Sequence, residues 1–113
     1  MELTIEQALQ RGIEAHKEGK LEEAKRLYKA ILQAQPTHSD ANHNLGVIAV
    51  SVNKADAALP LFKTAVEANP KIEQFWVSYI DALVKAKRLK DAKQAIKKAK
   101  NKGFDAKKLQ ALL

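Results

Sequence analysis

The chain has 113 residues and a formal net charge of +7, with 46% hydrophobic but only 5% aromatic residues. That length suits one small domain with a modest core. The lack of cysteine excludes disulfides and thiolate metal sites, and the longest apolar stretch, Val47 to Val50, is far too short to cross a bilayer. Ala, Leu, Lys and Glu dominate, a helical composition poor in strand formers. Met1-Glu2-Leu3-Thr4 has no basic region followed by an apolar run. A soluble, cytoplasmic protein without membrane insertion is therefore expected.

Thr4 and Gln7 form a capping box for a first helix, with Leu3 and Ala8 as its hydrophobic staple. Leu9, Ile13 and His16 share one face, and the helix is predicted to run to about Glu18 before Gly19 ends it. Leu21, Ala24, Leu27, Tyr28 and Ile31 recur at helical spacing and predict a second helix that stops before Pro36. Thr37 and Asp40 are read as caps of a third, through about Val52. A fourth is predicted over about Lys54 to Ala68, a fifth over Ile72 to Ala86, and a sixth over Leu89 to Lys100. Asp105 then caps a short last helix carrying Leu109, Leu112 and Leu113. Pro60 conflicts with the fourth helix, because it removes a backbone donor and clashes with the preceding turn. A kink, or a helix starting only a few residues earlier, is the expected outcome.

These elements repeat. Pro36 and Pro70 are 34 residues apart, and the same period relates Gly12 to Gly46 and Ala24 to Ala58 and Ala92. Such a unit cannot bury its own apolar face, so neighbours must stack, which produces a grooved surface in place of one catalytic pocket. The predicted fold is all-α, with about seven helices. The predicted units cover residues 5–38, 39–72 and 73–104, with a capping helix at 105–113, all within one domain spanning 1–113.

The repeat resembles the tetratricopeptide repeat, whose pattern is W-x2-L-G-x2-Y, then A-x3-F, then P. Asn42, Leu45, Gly46, Ala49, Ala58, Phe62, Ala65 and Pro70 carry the match in the second unit. Ala8, Gly12, Ala15, Ala24, Tyr28 and Pro36 carry it in the first, and Trp76, Tyr79, Leu83, Ala92 and Ala99 in the third. The third departs by placing Ile80 and Ile96 where Gly and an aromatic are usual. The resemblance implies a right-handed superhelical solenoid of antiparallel helix pairs, with Tyr28, Phe62 and Trp76 filling gaps between layers.

It also implies a protein or peptide partner held in a concave groove lined by the first helix of each unit. Carried over, that groove comprises Leu9, Ile13 and His16, then His43, Asn44, Val47 and Val50, then Val77, Asp81 and Val84. Val47 and Val50 are expected to be at least half exposed there, and weak self-association through the apolar groove is the alternative to a monomer. The family's clamp for acidic chaperone tails needs Lys, Asn and Arg where this chain has Leu9, Ile13, Asn44, Gln74 and Ser78. Only Asn44 fits. The stretch from Asn42 to Leu83 also resembles arrays fused to bacterial sulfotransferases and glycosyltransferases, so a targeting arm of a larger transferase is an alternative reading.

No catalytic residue, cofactor or metal is predicted. His16 and His43 are expected roughly 15 Å apart, given a rise of ~1.5 Å per residue, and His38 belongs to a turn. Ser51, Ser78 and Asp81 face the groove, but no histidine is expected within their reach.

Charge is unevenly spread. Between Lys85 and Lys108 eleven basic residues stand against two acidic ones, Asp91 and Asp105. Lys90, Lys93, Lys97, Lys98 and Lys100 form a basic patch beside the apolar stripe of Leu89, Ala92, Ile96 and Ala99. It has the composition of a solvated outer face, the alternative being a dock for an acidic protein, nucleic acid or anionic lipid headgroups. With Arg88 and Phe104 as its only neighbours of their kinds, it lacks bidentate readout and base stacking, so nucleic acid is disfavoured as a partner and a weak basic nucleic-acid-associated protein is a further alternative reading.

Overall fold

The turn inside each helix pair repeats in the backbone as well as in the sequence. Gly19, Asn53 and Lys87 all lie in the left-handed region, with φ of 78°, 62° and 61°, and they are 34 residues apart. In each case the next residue reaches back five positions: Lys20 N–H to the Ala15 carbonyl, Lys54 to Ala49 and Arg88 to Leu83, all at 2.8 Å. This closure satisfies carbonyls that a helix end would otherwise leave bare. Glycine adopts the conformation without cost and asparagine nearly so, whereas for Lys87 it costs about 1 kcal/mol.

In the computed structural model, which describes residues 3–113, these turns join seven helices, with no strand among the described residues. Met1 and Glu2, part of the predicted domain, lie outside the described residues. The helices are α1 (Ile5–Lys17), α2 (Leu21–Ala34), α3 (Ser39–Ser51), α4 (Ala55–Ala68), α5 (Glu73–Lys85), α6 (Leu89–Asn101) and α7 (Ala106–Gln110). Consecutive helices pack as antiparallel pairs and wind into a right-handed solenoid of 46 × 26 × 20 Å.

Two predicted caps hold and one does not. Thr4 and Gln7 exchange both bonds of a capping box at 3.0 Å, and the Asp105 carboxylate accepts from Lys107 N–H at 2.9 Å. The cap of α3 is neither Thr37 nor Asp40. His38 occupies the N-cap, and its Nδ1 accepts from Ala41 N–H at 3.1 Å, because Pro36 and Thr37 are used up in the turn. Pro60 does not break α4, which begins only five residues before it and runs on unbroken. Its missing donor leaves only the Asp56 carbonyl without a partner, on a side chain face open to water.

The joins between pairs also repeat. Asn42 Nδ2 donates to the Pro36 carbonyl at 3.0 Å, and 34 residues later Trp76 Nε1 donates to the Pro70 carbonyl at 2.9 Å. Two unlike side chains thus tie a helix start to the preceding turn in the same way.

Inside each pair the separation is set by a small residue facing a ring. A Cβ on Gly12 would sit 2.6 Å from the Tyr28 ring, and one on Gly46 would sit 2.6 Å from the Phe62 ring. In the third pair Ile80 and Ile96, both buried, replace the glycine and the ring. Tyr28, Phe62 and Trp76 are buried as predicted. Leu89 is not part of the apolar stripe of α6, being 47% exposed, and Ala95 takes that role. Leu109 of α7 is fully buried against the third pair, and the exposed Lys108 donates to Glu73 Oε1 at 2.9 Å.

Two outcomes follow for stability. In Gly46→Ala, overpacking against Phe62 costs ~1–3 kcal/mol, more than the ~1 kcal/mol that alanine gains in helix propensity. Denaturant titration should show a net loss of up to about 2 kcal/mol, which a Phe62→Leu background should relieve. Leu109→Ala should cost ~2–5 kcal/mol in the same measurement. A smaller loss would mean that α7 does not seal the stack.

Candidate interaction groove

The first helices of the three pairs, α1, α3 and α5, lie side by side. α3 is central and nearly enclosed: Ala41, Asn42, His43, Leu45, Gly46 and Ile48 are all buried. Along its middle Asn44, Val47, Ala49 and Val50 are partly exposed, and Ser39, Asp40 and Ser51 are accessible at its ends. Leu9, Ile13 and His16 of α1, and Val77, Asp81 and Val84 of α5, are partly exposed as well.

Val47 and Val50 are therefore less open than the expected half. They pack, with Val77 and Val84, against the core that runs from Ala58 to Leu109. A three-pair stack is shallow, and these branched side chains span both the groove and the gap between neighbouring first helices. Asp81 is held by Lys85 at 2.9 Å.

His43 departs furthest from its predicted place. It is buried, 9% exposed, and lies between the rings of Phe62 and Phe75 at centroid distances of 5.5 and 4.8 Å. Its Nε2 is 2.8 Å from Ser78 Oγ, and its Nδ1 is 3.3 Å from Asn44 Oδ1. A histidine does reach Ser78, contrary to the sequence expectation. The two residues are 35 apart, one more than the period, so adjacent parallel helices bring them level. That offset was the available signal.

Facing an amide oxygen, His43 Nδ1 donates to Asn44 Oδ1, and in the neutral ring Nε2 then accepts from the Ser78 hydroxyl, whose oxygen also accepts from Gln74 Nε2 at 3.2 Å. Burial lowers the His43 pKa from 6.5, opposed by the Asn44 hydrogen bond and the Asp40 charge. Ser78 sits mid-helix, where backbone N–H groups are consumed within α5, so no pair of free donors is aimed at a developing oxyanion beside it. The contact ties the second unit to the third.

Burial also raises the Tyr28 phenol, and the nearby Asn44 side chain offsets this in part. The Tyr28 hydroxyl is nevertheless buried without a partner in hydrogen-bond geometry. Ser51 Oγ donates to the Ile48 carbonyl at 2.6 Å. Among the described residues no three His, Cys, Asp or Glu side chains converge as metal ligands, and no helix is long and apolar enough to cross a membrane.

A stack of helix pairs with its first helices aligned along one accessible strip defines a helical-repeat protein-interaction module. The sequence profile of the tetratricopeptide repeat matches residues 49–113, more than half of the chain, and the chain belongs to that family. No curated protein matches it. Among solved structures it is similar to MamA MSR-1, with a TM-score of 0.73 and 29% identity over 86% of this chain and 56% of that one. Similarity to MamA AMB-1 is comparable, with a TM-score of 0.74 and 29% identity over 86% of this chain and 57% of the other. A second AMB-1 structure, at 21% identity and a TM-score of 0.74, shares the fold. The chain thus spans a little over half the length of these relatives.

The buried imidazole yields a pH prediction. Its folded pKa is below its unfolded one, so its neutral form contributes stability that is fully present above pH 6.5. That stability is lost as pH falls through the lowered value, because the unfolded chain takes the proton first. Thermal melts should show Tm falling below pH 6.5 in the wild type. The part due to His43 should vanish in His43→Gln; an identical profile for the two proteins would assign the dependence elsewhere.

Proposed function

We propose that this chain is one domain of three repeat units, 5–38, 39–72 and 73–104, closed by a cap at 105–113, that holds a short partner segment along its concave strip. The observation that carries this reading is that the neighbouring helices α1, α3 and α5 each keep partly exposed side chains at the predicted groove positions, Asn44 among them. Leu9, Ile13, Val47, Val50, Val77 and Val84 would take aliphatic anchors of the segment. The Asn44 amide would bond its backbone, since among the described residues its one hydrogen bond in good geometry is a long contact to His43, at 3.3 Å. Affinity should be modest, about micromolar, because three units bury little area and the segment must be ordered.

The buried share of Val47 and Val50 makes charged substitutions there poor probes, since they would also unseat the core. The test uses peptides selected by display on the wild-type chain and measured by fluorescence anisotropy. Asn44→Ala should weaken them by ~1 kcal/mol, about fivefold, and Val77→Ser should weaken them too, with helicity unchanged. Peptides that bind both variants as tightly as the wild type would rule out the concave strip.

A further inference from the structure

The C-terminal end of the stack holds a second concave surface, remote in sequence from the strip. Lys90, Lys93, Lys97 and Lys100 recur along α6 at spacings of three and four, so they form one row. They border a cavity of about 610 Å³ whose apolar floor is Ile96, with Ala106 and Leu113. α7 spans five residues and α6 thirteen, and Leu113 is 45% exposed.

The row is electrostatically unbalanced. Lys20, Lys25, Lys85, Arg88 and Lys108 each have a carboxylate within ion-pair distance, but none of the four bordering lysines has one among the described residues. Asp91, the nearest acid in sequence, is taken by Arg88 at 3.1 Å. From Lys90 to Lys100 the row extends ~15 Å, about three helical turns.

We propose that this groove docks an acidic amphipathic helix of a partner protein. Its apolar stripe would rest on Ile96, Ala106 and Leu113, and carboxylates at matching three- and four-residue spacing would meet the lysines. The shape and chemistry disfavour other polyanions. A bilayer is planar and reaches the rim without the floor, and nucleic acid has no use for an aliphatic floor that lacks aromatic platforms. Rim charges act mainly on association rate and salt response, while the floor provides the short-range contact.

The test titrates the full chain with a labelled peptide of about four turns, bearing leucines on one stripe and glutamates on the flanks. Controls are a sequence-scrambled peptide of the same composition, a single-stranded oligonucleotide, and phosphatidylcholine vesicles with phosphatidylglycerol. The patterned peptide should bind at least about tenfold more tightly than the scrambled one, and Lys93→Glu with Lys97→Glu should weaken it about tenfold. Leu113→Ser should weaken it severalfold, and Asn44→Ala should leave it unchanged, which separates this site from the concave strip. Circular dichroism confirms that the variants fold, since all the substituted side chains are exposed or, for Asn44, partly so. Equal binding of patterned and scrambled peptides, indifference to the lysine changes, or tighter and equally lysine-dependent binding of oligonucleotide or vesicles would each overturn the proposal.

Discussion

Everything else in the stack depends on how closely the two helices of a pair can approach. At Gly46 the separation is so small that even a methyl group would meet the Phe62 ring at 2.6 Å. Pressing a flat ring onto bare backbone gives dense packing with little side-chain entropy lost. It also fixes the crossing of α3 and α4, and through them the seat of α5. The first pair repeats the arrangement with Gly12 and Tyr28. The third reaches a similar end with two isoleucines, sharing between both helices the bulk that the others give to one. Such exchanges of volume across a contact are what cores tolerate best.

Much of this was legible in the residues themselves. The spacing of Pro36 and Pro70, the two glycines and the periodic alanines specifies pair length, and pair length specifies stacking. Local rules worked where one residue decides the outcome, as at Thr4 and Asp105. They failed where several compete. His38 outbids Thr37 for the cap because chain direction after Pro36 decides which side chain points at the free N–H groups. Asn53 and Lys87 hold a left-handed conformation that composition alone would reserve for a glycine such as Gly19, because the five-position closure of the turn overrides residue preference.

The groove was harder to read. Helical periodicity tells which residues of α3 share a face but not how much of that face the neighbouring first helices cover. Val47 and Val50 lie on the boundary, and His43, one position away from Asn44, falls on the far side of it. Its bond to Ser78 joins residues from different units, so it becomes visible only once the stacking offset between α3 and α5 is known. The third unit's lysines, by contrast, were plain in the sequence; what the fold adds is the apolar floor beneath them.

α3 divides its allegiance. Ala41, Leu45 and Ile48 belong to a core shared with α1 and α2, while Val47, Ala49 and Val50 lean on the core built from α4 to α7. The two cores meet at α3, with Leu61 of α4 also packed against the first, and they are unequal. The N-terminal one shelters an unpartnered phenol and has Ala8 where the later units use Asn42 and Trp76 to fasten the helix start. In a quasi-one-dimensional chain of this kind, opening runs from the weaker end. Release of α1 and α2 would leave α3 in place with Ala41, Leu45 and Ile48 bared along one side, a ready-made seat for a replacement helix pair.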